Sequence, residues 1–207
     1  SVKELGQYKR LGTTIDDAIG EAFDKTAKLL GIEFPGGPQI EVLAKKGDPN
    51  KYNLPKPIFN KGGCNLSFAG LKTAILKIAK KIKTDQEKFD LAASFQKTVI
   101  EILNKKTRIA FAEFEKQTNP KEKKFVVAGG VAANKDIRNM LVNLCKEENY
   151  EPIFPPIELC GDNAAMIAIV GLEKYKLKQF SNLDHPAKPR WSLDQNASFL
   201  KGAGVQL

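Results

Sequence analysis

Apolar side chains recur at the helical period along most of the chain. Within residues 13–30, Ile15, Ala18, Ile19, Ala22, Phe23, Thr26, Leu29 and Leu30 share one side, which predicts a helix with Thr13 as N-cap and Gly31 as its stop. The stretch CNLSFAGLKTAILKIAKKI reads as a short strand and then a helix with the stripe Leu71, Ala74, Ile75, Ile78, Ala79 and Ile82. Thr84-x-x-Glu87 is a capping box opening a long helix over 85–115, striped by Leu91, Phe95, Val99, Ile102, Leu103, Ile109 and Phe111. At 1.5 Å per residue that helix spans roughly 45 Å, long enough to cross a domain. A last stripe, Ile137, Met140, Leu141, Leu144 and Cys145, lies between the strands KFVVAGG and YEPIFPP. Strand, helix and strand so closely spaced predict a βαβ unit with parallel strands, whose ligands bind beyond the strands' carboxyl ends.

Other stretches break the pattern. FPGGPQI predicts a tight turn with positive φ at Gly36 and Gly37 before a short helix through Leu43. Residues 47–63 are rich in Gly, Pro, Asn and Lys and read as a loop. Residues 164–172 are apolar on every side, so that helix is expected to be deeply buried. HPAKPRWSLDQ reads as extended.

Composition narrows the classes. With 207 residues and 42% hydrophobic side chains the chain can bury a core. No apolar run approaches the roughly 20 residues of a membrane-spanning helix, and a soluble, cytoplasmic protein is expected. Cys64, Cys145 and Cys160 are widely spaced and suggest neither a disulfide framework nor a zinc knuckle. His185 is the single histidine, which argues against a His-rich metal site or an H-E-x-x-H protease. The net charge of +9 fits a polyanionic partner or a merely basic surface. Lys72, Lys77, Lys80, Lys81 and Lys83 occupy one outer face, and Lys97, Lys105, Lys106 and Arg108 add to it, as solubilising groups or as phosphate contacts.

Candidate chemistry gathers at a few small and acidic positions. Asp17, Gly20, Glu21 and Asp24 share a helix face, either solvated or turned to a ligand. Gly37 could join them only if its turn lies beside that face. In VVAGGVAANKDIRNML, Gly129, Gly130 and Asn134 stand at a strand-to-helix turn, which serves architecture or exposes backbone N–H groups to an anion. Asp162 opens the apolar helix, as an N-cap or as a ligand carboxylate.

The blocks IDDAIGEAFDKTAKLLG, FPGGP, LSFAGLKTAI, AASFQ, VAGGVAANKDIR, ELCGDNAAMIA and KPRW occur in this order along essentially the whole chain. Together they resemble the TsaD family, the tRNA N6-adenosine threonylcarbamoyltransferases, formerly described as O-sialoglycoprotein endopeptidases. The resemblance implies an α/β fold of the actin/Hsp70/sugar-kinase (ribonuclease H-like) type. Residues 1–160 would form a ligand-binding lobe with a large helical insertion at about 66–118 and a strand-helix-strand unit at about 124–156. Residues 161–207 would be a buried helix and a segment returning toward the first lobe. The implied reaction moves a threonylcarbamoyl group from threonylcarbamoyl-adenylate to N6 of the adenosine next to the anticodon of tRNA. Asp24, Gly37 and Asn134 would bind the adenylate, and Asp162 would ligate one divalent metal ion, iron or zinc, acting as Lewis acid. No catalytic residue is assigned. The implied partners are tRNA and TsaB- and TsaE-like subunits.

The family's H-x-x-x-H metal ligands and S-G-G-H-T-like phosphate segment have no counterpart here. The chain is therefore expected to be truncated at its N-terminus, inactive alone, unable to hold the metal by itself and prone to self-association. Two other readings fit parts of the pattern: a sugar- or acetate-kinase-like ATP phosphotransferase, and a non-catalytic protein-interaction lobe.

Overall fold

A computed structural model describes residues 1–161, 163–187 and 192–197. The N-terminal strands β1 (Val2–Glu4) and β2 (Gln7–Tyr8) pair antiparallel. Helices α1 (Ile19–Leu29), α2 (Gly36–Ala44), α3 (Ala69–Ala79) and α4 (Asp85–Thr118) follow. The chain then forms β3 (Lys124–Val126), a 3-10 turn at Gly130–Ala133, α5 (Lys135–Glu147), β4 (Glu151–Ile153) and α6 (Ala164–Lys176). The strand-helix-strand expectation holds: β3 and β4 are parallel, with Phe125 opposite Pro152.

Local signals explain α4 well. The Thr84 hydroxyl accepts the Glu87 N–H, the Glu87 carboxylate accepts the Thr84 N–H in return, and Asn119 ends the helix in a left-handed conformation. Its 34 residues make a strut of about 50 Å. Helices α2, α3 and α5 pack along it. Phe95, Leu91, Val99 and Ile102 are buried there with Ile40, Leu71 and Ile75, and Phe23 meets Phe95 edge-on at 4.9 Å. Nearer its end Phe111 stacks on Tyr150 at 3.7 Å, which ties the βαβ unit to the strut. The 47–63 loop lies along α4: Asp48 N–H donates to Asp90 Oδ1 at 2.8 Å and Tyr52 N–H to Ser94 Oγ at 3.1 Å.

The helix expected over 13–30 begins only at Ile19. Residues 13–18 are committed elsewhere: Leu66 N–H donates to Thr13 O and Ile15 N–H to Leu66 O, both at 2.9 Å. The Asp16 carboxylate accepts from the Phe68 N–H at 2.7 Å, the Ala69 N–H at 3.2 Å and the Ser67 hydroxyl, and so caps α3 from a distance in sequence. Tertiary pairing outweighs helical propensity over that segment. Gly31 does stop α1, at φ +73°.

Helix α6 overturns the expectation of deep burial. None of its residues is buried, and Ile167 is 67% exposed. All-round apolarity shows that a helix needs cover, and among the described residues nothing supplies it. Lys106 departs in the other direction. It is 3% exposed, and its ammonium donates to the carbonyls of Lys61 at 2.8 Å and Gly63 at 3.2 Å. Burial lowers its pKa, and it is no part of the basic surface. Lys72, Lys77, Lys80, Lys81 and Lys83 are exposed as expected.

Candidate functional site

The site is assembled from two close contacts, one between α1 and α2 and one at the start of α5. Pro35, the N-cap of α2, has no side-chain group to offer the helix's unpaired N–H donors. Asp24 supplies it from α1, its Oδ1 accepting the Gly36 N–H at 2.9 Å. The helices touch there at backbone distance: a Cβ on Gly36 would stand 2.5 Å from Ala27 Cβ and 2.9 Å from Asp24 Cα. Glycine at 36 therefore serves close approach and not a left-handed turn. Gly36 and Gly37 both belong to the first turn of α2, and neither has the positive φ expected of them. The chain reverses just before, at Phe34–Pro35, a cis peptide bond.

The second contact uses polar caps. Gly129, at φ +92°, makes the turn out of the β3 segment, a conformation that L side chains rarely adopt. Asn134 then caps α5, its Oδ1 accepting the Ile137 N–H at 3.0 Å while its Nδ2 donates to Gln96 Oε1 on α4 at 2.9 Å. On the same element, Arg138 Nε donates to the Ala132 carbonyl at 3.1 Å and braces the 3-10 turn.

A cavity of about 620 Å³ opens between these parts. Asp24, Gly37 and Asn134, distant in sequence, all line it, together with Gly20, Glu41 and the Gly129–Gly130 turn. Ile19, Phe23, Phe34, Pro38 and Val131 supply apolar walls, and among the described residues no lysine or arginine lines it. Its volume falls within the roughly 300–1,000 Å³ of small-molecule sites. A carboxylate, a half-buried glycine without Cβ and an amide on apolar walls suit the ring and hydroxyls of a nucleoside better than a bare phosphate.

The acidic face inferred on α1 divides in two. Asp17 precedes the helix and, with Glu21, holds the Lys25 ammonium at 2.7 Å. These bonds, Asp17 first, raise the lysine's pKa. Only Gly20 and Asp24 turn to the cavity. Asp162 lies outside the described residues. Sequence reasoning missed Glu41 and Gln96. Glu41 follows Gly37 by one helical turn and so shares its face, a usable signal. Its Oε1 accepts the Lys135 N–H at 3.4 Å and faces Lys45 Nζ at 3.5 Å. Gln96 is an amide directly beside Phe95 in the α4 stripe, which marks a polar group with partners waiting in the core.

As a metal centre the described residues do not fit. They contain no cluster of three or more His, Cys, Asp or Glu side chains, and the cavity's two carboxylates are already engaged by backbone N–H groups.

The family model described as tRNA N6-adenosine threonylcarbamoyltransferase matches residues 1–169. A Pelagibacter ubique (strain HTCC1062) protein of that name is 79% identical over 207 residues, covering 100% of this chain and 58% of its own length. One of the same name from Rickettsia rickettsii (strain Sheila Smith) is 54% identical over 197 residues, covering 94% of this chain and 57% of its own. A Rickettsia bellii (strain OSU 85-389) protein, again of that name, is 51% identical over 197 residues. This chain thus spans 57–58% of the length of these curated relatives. Ordered motif blocks, a cavity built by three of them and a family match over residues 1–169 agree: the chain belongs to the TsaD family.

Proposed function

We propose that this chain is the adenylate-binding part of a tRNA N6-adenosine threonylcarbamoyltransferase. In this reading the whole protein has two lobes of the actin/Hsp70/sugar-kinase type, works in the cytoplasm and meets TsaB- and TsaE-like subunits. The observation that carries the proposal is the convergence of Asp24, Gly37 and Asn134 on one cavity, which no described lysine or arginine lines.

Each group has a task its chemistry suits. Asp24 keeps Oδ1 on the Gly36 N–H and turns Oδ2 to ribose hydroxyls, as acidic residues do in dinucleotide folds. Gly37 admits the nucleoside without a Cβ in the way, since nothing lies within 4 Å of the position a Cβ would take. Asn134 has a second Nδ2 hydrogen with no protein acceptor among the described residues and offers it to the ligand. With the adenylate so held, the adenosine N6 amine attacks the carbamoyl carbon. A C–N bond forms, the carbamoyl–phosphate C–O bond breaks, the amine loses a proton and AMP leaves. Orientation of the leaving nucleotide is what these residues contribute.

Asp162 would be one ligand of an iron or zinc ion whose other ligands lie outside these 207 residues, and the ion would act there as a Lewis acid. For tRNA, the exposed lysines of α3 and the turn after it are the receiving surface. None of Lys72, Lys77, Lys80, Lys81 and Lys83 is in an ion pair among the described residues, whereas Lys25, Lys56 and Lys123 are. Unpaired ammonium groups are free to displace counterions from phosphates.

The test uses a protein of the relatives' full length that carries this chain. Given threonylcarbamoyl-adenylate and unmodified tRNA, it should yield N6-threonylcarbamoyladenosine in the nucleoside digest, and Asp24→Ala should slow that yield by at least about tenfold, the loss of roughly one charged hydrogen bond. Unmodified tRNA together with ATP-dependent phosphorylation of acetate or a sugar would overturn the reading.

A further inference from the structure

Gln96 lies about a third of the way along α4, 4% exposed, and is spent on hydrogen bonds to two residues that flank the start of α5. Its Nε2 donates to Asp136 Oδ2 at 2.6 Å, and its Oε1 accepts from Asn134 Nδ2 at 2.9 Å. Asn134 Oδ1 in turn accepts the Ile137 N–H at 3.0 Å. The two ends of this chain of bonds are fixed by chemistry. A carboxylate only accepts and a backbone N–H only donates, so each amide between them has one orientation that satisfies both neighbours. A buried amide turned the other way would set N–H against N–H and leave a carbonyl oxygen facing a carboxylate.

We infer that Gln96 is a positioning residue for the adenylate site: it carries the acceptor polarity of Asp136 to Asn134 and so aims the second Asn134 N–H into the cavity. This rests on the proposed function above, since it takes the cavity to hold a nucleotide. Gln96 itself does not line the cavity. It acts through the orientation and rigidity of Asn134, which is 8% exposed and cannot be steered by solvent. The long helix thereby bears directly on the ligand, and α4 is more than a packing strut.

A charge swap tests the idea. In Gln96→Glu the side chain still offers an acceptor to Asn134 but sets a second carboxylate against Asp136, so the pair is pushed apart. In the double variant Gln96→Glu with Asp136→Asn, the new amide at 136 donates to the new carboxylate at 96, and the polarity at Asn134 is restored. The probe is AMP, titrated into a protein of the relatives' full length that carries this chain, whose described residues supply Asp24, Gly37 and Asn134 to the cavity. Affinity is read by calorimetry, and the Asn134 side-chain amide by nitrogen-15 NMR. Gln96→Glu should bind AMP roughly tenfold more weakly, the worth of about one hydrogen bond, and the double variant should return to within about threefold of wild type. In wild type and in the double variant AMP should shift one Asn134 Nδ2 proton resonance, a response that a merely structural Gln96 would not control. If wild type binds AMP and Gln96→Glu binds it equally, or if the swap fails to restore binding, the inference falls alone. If the wild-type protein does not bind AMP, the assignment of the cavity falls and this inference with it.

Discussion

The Asp24 carboxylate reaches from α1 to the Gly36 N–H at 2.9 Å, and that bond makes one residue both a helix cap and a wall of the cavity. One of its oxygens is fixed by the protein, and the same residue lines the cavity. Packing of α1 on α2 and the shape of the site are therefore the same event.

Adjacent glycines should respond in opposite ways. Gly36→Ala drives a methyl group against Ala27 Cβ and should cost about 1–3 kcal/mol in urea unfolding, as overpacked positions do. Gly37→Ala meets nothing within 4 Å and should leave stability within about 0.5 kcal/mol while weakening AMP binding, because its new methyl projects at the cavity. Equal stability losses at the two positions would contradict the close approach described for α1 and α2.

Lysines that look alike in the sequence should separate by salt dependence. Removing the charge of Lys72 or Lys80 should lessen the slope of log K for tRNA against log salt by roughly 0.7–0.9 each. Lys106→Met should leave that slope unchanged, because its ammonium is bound to two carbonyls inside the fold. The buried lysine has its own signature in pH. Its folded pKa lies below the unfolded value of about 10.4, so the unfolded chain binds the proton more tightly. Stability should rise as pH climbs from the folded to the unfolded pKa, and urea midpoints of Lys106→Met should lack that rise.

At the acid end Asp90 should report on the 47–63 loop. Donation from the Asp48 N–H, and then from Gln86, holds its carboxyl below the usual carboxylate value. The stability it contributes is full above the unfolded pKa of about 3.9 and is lost as pH falls through the lower folded value. Amide exchange at Asp48 should accelerate over that acid interval, and Asp90→Asn should blunt the pH dependence.

What the sequence disclosed follows the range of each interaction. The capping box at Thr84 and Glu87, the stripe of α4, the Gly31 stop and the βαβ unit are local, and they stand as read. The start of α1 was illegible because its competitor, Leu66, lies far along the chain. Gly37 and Asn134 were legible as special positions, but their meeting on one cavity depends on how α2 and α5 dock. Gln96 was missed because a single amide amid apolar neighbours has no periodicity. Helix α6 misled because its composition records a need for burial without naming what meets it.

That last helix has a practical consequence. With Met166, Ile167, Ile169, Val170 and Leu172 all exposed, α6 is an adhesive strip on a body of net charge +9. Colloidal behaviour of the isolated chain is then a contest between long-range repulsion and short-range adhesion. Added salt screens the first and leaves the second, so clustering should grow with ionic strength, opposite to what a purely charge-driven assembly would do.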